Sequence, residues 1–223
     1  MCAILGTFDY NRYQYLYKEN LSRGDFAYGE IYLNKDHYLL TKKPGIKDFS
    51  EVDERSAKVF DYFLCHVQAP TSSVREFHIE TSHPFQLGSF LVSHNGVLTN
   101  DKLLKSQTKE YYNEVDSSVI PALLIEEVKL CGLKPVNKRE IISSVLSRLE
   151  GTYSLWIYNS WSHNVYIARS GSTLFMNRKT REFSSIKLPD IEEEVPEGKL
   201  FEITDKEIVE VGEFKANSPF FVI

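Results

Sequence analysis

The sequence predicts an α+β protein, and three observations carry that prediction. Short apolar and aromatic runs with strand character open the chain and close it. Two segments with helical spacing are grouped mid-chain, over residues 116–132 and 138–151. Strands and helices nowhere alternate regularly, which argues against a doubly wound parallel sheet and for helices set apart from antiparallel strands. Two stacked sheets with helices outside would bury such aromatic strands on both faces.

CAILGTF, residues 2–8, reads as a first strand. YQYLYKENLSRG follows with helical spacing and a glycine stop at Gly24. AYGEIYL and HYLLTKK read as a strand pair, and VFDYFLCHVQA as a buried strand ending at Pro70. SFLVSHNG is a further apolar run closed by Asn95-Gly96, a turn signal. In DSSVIPALLIEEVKLCG, Asp116 is placed to cap a helix, Pro121 falls early, and Gly132 stops it. KREIISSVLSRLEG repeats that form, with Ile141, Ile142, Val145, Leu146 and Leu149 on one stripe and Gly151 after it. TYSLWIYNS, NVYIARS, TLFMNR and LFEIT return to short strands punctuated by turns.

The chain has 223 residues, of which 42% are hydrophobic, enough for one well-buried core. No internal repeat, linker or low-complexity tract divides it, so residues 1–223 are expected to form a single domain. A net charge of -5 without a Lys/Arg block gives no grip for nucleic acid and none for a membrane surface. Cys2, Cys65 and Cys131 are an odd count without CxxC spacing, which fits a reducing compartment. The N-terminus lacks the basic and apolar regions of a signal peptide, and no apolar run reaches the roughly 18 residues of a membrane span. A soluble cytoplasmic protein is the expectation.

Cys2 stands directly behind Met1, and two readings of it are open. Cysteine packs as a small hydrophobe at the head of a buried strand. Alternatively, removal of Met1 gives Cys2 a thiol and an α-amine together. The thiolate is the reactive species, and a thiol with a pKa near 8.5 is mostly protonated at neutral pH. An α-amine with a reference pKa near 8 is a suitable tethered base. Acyl transfer also needs donors where the oxyanion develops, and SHNGVLTN offers the Asn95 amide and the Gly96 backbone N–H. Asn-Gly by itself is more often a turn.

Eight motifs occur in order: MCAILG at the start, SRGD (22–25), CHVQAPT (65–71), SHPF (82–85), HNGVLTN (94–100), EVDSSVI (114–120), LEGTYSLWI (149–157) and ARSGS (168–172). In these the chain resembles the glutaminase domain of class II glutamine amidotransferases, within the N-terminal nucleophile hydrolases. The motif order is most similar to that of the glucosamine-6-phosphate synthases. The resemblance implies a four-layer αββα sandwich and release of ammonia from L-glutamine through a γ-glutamyl thioester. It implies Cys2 as nucleophile with its own amine as base, and Asn95 and Gly96 as the oxyanion pair. Asp116 matches the carboxylate that receives the substrate α-ammonium, and Thr71 lies in the segment lining the glutamine pocket. Arg23 and Gly24 match a pair that supports the nucleophile. No cofactor and no metal are implied. Such domains are usually fused to a synthase, so an ammonia acceptor on a separate protein is expected here.

One departure concerns Gln68, which stands where the family has an arginine clamping the glutamine α-carboxylate. A primary amide makes one or two neutral hydrogen bonds where a guanidinium makes a charged fork. The difference weakens binding by about 1–2 kcal/mol, roughly tenfold or more. Three explanations compete: Arg75 supplies the clamp, the substrate lacks a free α-carboxylate, or the site has decayed. The aromatic residue that often follows the clamp is also absent, with Ala69 and Pro70 in its place. A hydrolase for another amide and a non-catalytic binding subunit are the alternatives to a glutaminase.

Other features have plainer readings. His66, His78, His83 and His94 match no zinc spacing. Cys65 and Cys131 lie in apolar settings as packing residues. DIEEEVPEGK (190–199) reads as a solvated loop, and ARSGS as a tight turn between strands.

Overall fold

The computed structural model describes residues 2–51, 57, 59–69, 76–110, 113–132 and 137–217. In chain order its elements begin β1 (Ala3–Thr7), α1 (Tyr10–Asn20), β2 (Ala27–Leu33), β3 (Tyr38–Pro44) and β4 (Tyr62–Gln68). Then come β5 (Phe85–Leu87), β6 (Phe90–Leu98), α2 (Asp101–Gln107), α3 (Val119–Cys131) and α4 (Lys138–Arg148). The remainder is β7 (Gly151–Asn159), β8 (Asn164–Ser170), β9 (Phe175–Asn177), β10 (Glu182–Ser184), β11 (Glu193–Glu194), β12 (Lys199–Ile203) and β13 (Ile208–Glu213). The class is the expected α+β. The chain divides into two compact units, Met1–Pro84 with Thr173–Glu194, and Phe85–Ser172 with Val195–Ile223.

The first unit is built on an antiparallel sheet of order β11-β9-β10-β1-β4-β2-β3. β1 runs between two partners, with Ala3 opposite Val67 on β4 and Leu5 opposite Ser184 on β10. All residues of β1 and β4 are buried, as their mostly apolar character predicts, with Thr7, His66 and Gln68 buried among them. α1 lays Tyr13, Leu16 and Tyr17 on Tyr28, Tyr32, Phe63, Cys65 and Val67. The Tyr32 and Phe63 rings meet edge to face at 4.9 Å, a favoured aromatic geometry. Within this cluster the buried Glu30 carboxylate accepts from Tyr13 Oη and pairs with Lys47, whose ammonium lies 5.3 Å from the centre of the Tyr32 ring. A buried carboxylate needs partners of this kind.

α1 starts at Tyr10, three residues before the expected start, because Asp9 caps it by accepting from Arg12 N–H at 2.7 Å. Nor is Gly24 a left-handed stop: its φ of 176° is ordinary extended backbone. Close approach requires the glycine, since a Cβ there would stand 2.4 Å from Ala69 N and 2.5 Å from Gln68 C. These are backbone atoms that cannot rotate away. Gly24→Ala is therefore expected to destabilise by about 2–3 kcal/mol. In a thermal scan that is a loss of about 5–10 °C in Tm.

The second unit carries an antiparallel sheet of order β13-β12-β8-β7-β6-β5. α3 and α4 cover one face, packing Val119, Ile120, Leu123 and Leu124, then Ile142, Val145 and Leu146, on Phe90, Val92, Leu155, Ile157 and Tyr166. The expected stripe of α4 is buried as read, Ile141 and Leu149 included. Gly132, with φ 60°, ends α3 as expected.

Three expectations fail in this unit. Asn95-Gly96 is no turn: β6 continues to Leu98 and pairs with β7 throughout, with Asn95 opposite Ser154 and Gly96 opposite Tyr153. Gly96 has φ 151°, and a Cβ there would stand 2.0 Å from Thr152 O, so close pairing with β7 selects the glycine. Gly151 does not stop α4, which ends at Arg148; it opens β7 with φ 115° where Val97 O leaves no room for a side chain. Asp116 does not cap α3, whose N-cap is Ser118, and belongs instead to a 3-10 turn over Asp116–Ser118.

The acidic segment 190–199 is more than a solvated loop. In the first unit Ile191 is buried, Asp190 pairs with Arg12, and Glu193–Glu194 adds β11 beside β9. In the second unit Val195 is buried and its carbonyl accepts from Arg169 Nε.

Candidate active site

In the first unit the structure gathers Cys2, Arg23, Gly24 and Gln68. Cys2 is half-buried immediately ahead of β1. Arg23 Nε donates to the Cys2 carbonyl at 3.0 Å, while Arg23 Nη1 donates to Thr173 Oγ1 at 3.1 Å and to Ser185 O at 3.4 Å. Thr173 Oγ1 in turn donates to Ser185 O at 3.0 Å, so the guanidinium is braced on the side away from Cys2. Burial lowers the Arg23 pKa and the neighbouring Cys2 thiolate opposes that shift. A guanidinium remains charged under such shifts, so a fixed positive charge stands beside Cys2. Cys65 is the contrast: burial raises its thiol pKa far beyond the physiological range, which leaves it an inert packing residue.

Gln68 ends β4 opposite Ala27, is almost fully buried, and its carbonyl accepts from Phe26 N–H at 3.0 Å. The chain at Gly24 passes directly against it. Thr71 and Arg75 lie outside the described residues, as does Met1.

In the second unit Asn95, Gly96 and Asp116 come together around the end of β6. Asn95 Nδ2 donates to Ser154 Oγ at 3.3 Å and to Ser172 Oγ at 3.4 Å. Both bonds are long, so they orient the amide while an oxyanion would be the stronger acceptor. Asp116 is three-quarters buried at its side chain. Its Oδ2 accepts from Leu98 N–H at 2.8 Å, and its Oδ1 from Ser117 N–H at 2.8 Å. These bonds fix the carboxylate and keep part of it open to solvent.

His94, on β6, completes this group. Its Nδ1 lies 2.8 Å from Ser117 Oγ and 4.0 Å from Asp116 Oδ2, and its Nε2 lies 3.2 Å from Thr152 O. Burial lowers the His94 pKa, with Asp116 and the Thr152 carbonyl acting in the opposite direction.

Several supporting residues escaped the sequence reading. Thr173 and Ser185 brace Arg23 across more than 140 residues of chain, and no local pattern announces them. Ser154, Ser172, His94 and Ser117 lie inside the quoted motifs, so position there was the available signal. ARSGS is thus more than a turn, because its Ser172 orients Asn95 and its Gly171 bridges Tyr153. Of the other histidines, His66 and His83 stack ring on ring at 4.0 Å, and His78 is exposed. Among the described residues no three His, Cys, Asp or Glu side chains are grouped to hold a metal, and no helix is long and apolar enough to cross a membrane.

No protein-family model matches the chain. A glutamine–fructose-6-phosphate aminotransferase (isomerizing) of Staphylococcus aureus is 27% identical over 187 residues, covering 79% of this chain and 30% of the relative. Over 97% of this chain and 50% of the other, the structure superposes with TM-score 0.72 and 18% identity on the glutamine phosphoribosylpyrophosphate amidotransferase from B. subtilis. A glutamine aminotransferase class-II domain protein from Silicibacter pomeroyi matches over its whole length, with TM-score 0.56 and 14% identity. The fold is that of a class II glutamine amidotransferase domain. On this amidotransferase fold, the chain spans about a third of its curated relative and half of the B. subtilis enzyme. Both carry large regions beyond the part matched here.

Proposed function

We propose that the chain is a glutaminase module that hydrolyses the side-chain amide of L-glutamine through Cys2 and releases ammonia. The observation that carries this reading is the seat of Cys2: the head of a doubly paired strand, with its carbonyl held by a half-buried, braced guanidinium. Once Met1 is removed, the Cys2 amine takes the thiol proton and sulfur attacks the amide carbon. Asn95 Nδ2 and the Gly96 N–H donate to the oxyanion that forms. The ammonium then returns its proton to the departing nitrogen as the C–N bond breaks, leaving ammonia and a γ-glutamyl thioester. Water activated by the same amine cleaves the thioester to glutamate. Asp116 receives the substrate α-ammonium, and Arg23 and Gly24 hold the surroundings of Cys2 and Gln68. Ammonia passes to an acceptor reaction, a reading supported by the larger aminotransferase and amidotransferase relatives.

Intact-mass measurement with an electrophilic diazoketone analogue of glutamine tests this directly. The expected species lacks Met1 and carries one adduct, which Cys2→Ala abolishes. Retention of Met1 blocks the amine and overturns the proposal.

Gln68 keeps a second reading in view, a related amide without a free α-carboxylate. Hydrolysis of L-glutamine beside its carboxyl-amidated analogue separates the two. We expect glutamine to be preferred about tenfold and Arg75→Ala to remove that preference. Equal use of both substrates by the unaltered chain assigns the second reading instead.

A further inference from the structure

Behind Asp116 the polar atoms form a row. Thr152 O lies 3.2 Å from His94 Nε2, His94 Nδ1 lies 2.8 Å from Ser117 Oγ, and Ser117 Oγ lies 3.1 Å from Asp116 Oδ1. Each of these three spaces has hydrogen-bond length and takes one hydrogen. A neutral imidazole contributes one, a serine hydroxyl one, and the carbonyl and carboxylate ends contribute none. Two hydrogens thus serve three spaces.

Each neutral tautomer leaves a fault. With the ring proton on Nε2, the hydroxyl turns to Nδ1 and its lone pairs face Asp116 Oδ1. With the proton on Nδ1, the hydroxyl turns to Asp116 and the bare Nε2 faces the Thr152 carbonyl. The imidazolium fills every space, and its charge then sits 4.0 Å from Asp116 Oδ2. Opposing it is the burial of His94, which has only 2% of its surface exposed. Among the groups facing it are the Thr152 carbonyl from β7 and Ser117 and Asp116 from the 3-10 turn, and of these Asp116 carries the charge.

We propose that this row couples a proton on His94 to the substrate α-ammonium on Asp116, so that the two cations compete for one carboxylate. The coupling rests on the reading of Asp116 given above. Ammonium binding brings a positive charge to Asp116, and the third hydrogen of the row leaves to solvent from His94. By reciprocity, a protonated His94 weakens the hold on glutamine. His94 touches no substrate atom in this scheme and is a positioning residue, acting through Ser117 and Asp116.

The direct test follows the His94 ring by NMR in Cys2→Ala, which cannot turn over glutamine. Saturating glutamine is expected to move the titration midpoint to lower pH, whereas glutaric acid monoamide, which lacks the α-amine, leaves it in place. In kinetics, KM for glutamine rises about fivefold or more as pH falls through that titration. His94→Gln flattens that rise, and Ser117→Ala, which keeps the imidazole, reduces it. A midpoint indifferent to glutamine, with Asp116→Asn still raising KM, overturns the coupling and leaves the Asp116 reading standing. If Asp116→Asn leaves KM unchanged, the Asp116 reading fails and the coupling with it.

Discussion

Replacing Cys2 by alanine is expected to lower ammonia release from glutamine by a factor on the order of 10⁴ to 10⁶. The size follows from what the residue would supply. In the proposed mechanism its sulfur divides one hard amide cleavage into two easier steps, and the amine on the same residue moves the proton in both. Alanine keeps the amine and the strand register, so β1 should still pair Ala3 with Val67 and Leu5 with Ser184. Folding is therefore expected to be intact by circular dichroism while ammonia release is lost. A variant retaining more than about a hundredth of the activity would remove Cys2 from the chemistry, because oxyanion donors and binding alone leave a far smaller residue of catalysis.

The second large effect is expected at Asn95. Asn95→Ala should reduce kcat by about 10² to 10³ with little change in KM, because an oxyanion donor acts on the transition state and not on the bound amide. The hydroxyls of Ser154 and Ser172 that orient the amide would keep other partners, so the cost falls on chemistry more than on stability. A rise in KM with kcat preserved would instead make Asn95 a binding residue. Separate measurement of kcat and KM by ammonia release distinguishes these outcomes.

Much of this was legible from residue order. The stripe from Ile141 to Leu149 is local information, and it fixed both the existence of α4 and its buried face. VFDYFLCHVQA was readable because a strand buried on both sides is largely apolar, here interrupted by Asp61, His66 and Gln68. The failures share one cause, selection by atoms distant in sequence. Gly24 is a glycine because of the backbone at Gln68 and Ala69, and Gly96 because of Thr152 O. The turn chemistry of Asn-Gly lost to a ladder running the length of β6. β10 and β11 are too short to show a period, and their partners on β9 and β1 define them. Asp9 is the exception, a cap that was present in the sequence and hidden by the tyrosines after it.

The brace around Cys2 also sets an order of events in time. Ile4 N–H donates to Ser185 Oγ at 2.9 Å across 181 positions, and the groups steadying Arg23 belong to Thr173 and Ser185. Translation delivers Cys2 first and those partners some 170 to 180 codons later. A nascent chain at 5–20 residues per second thus trails its second residue through the solvent for about 10–40 seconds before the seat can close. On the proposed glutaminase reading, trimming of Met1 would fall in that interval, before Arg23 takes hold of the Cys2 carbonyl.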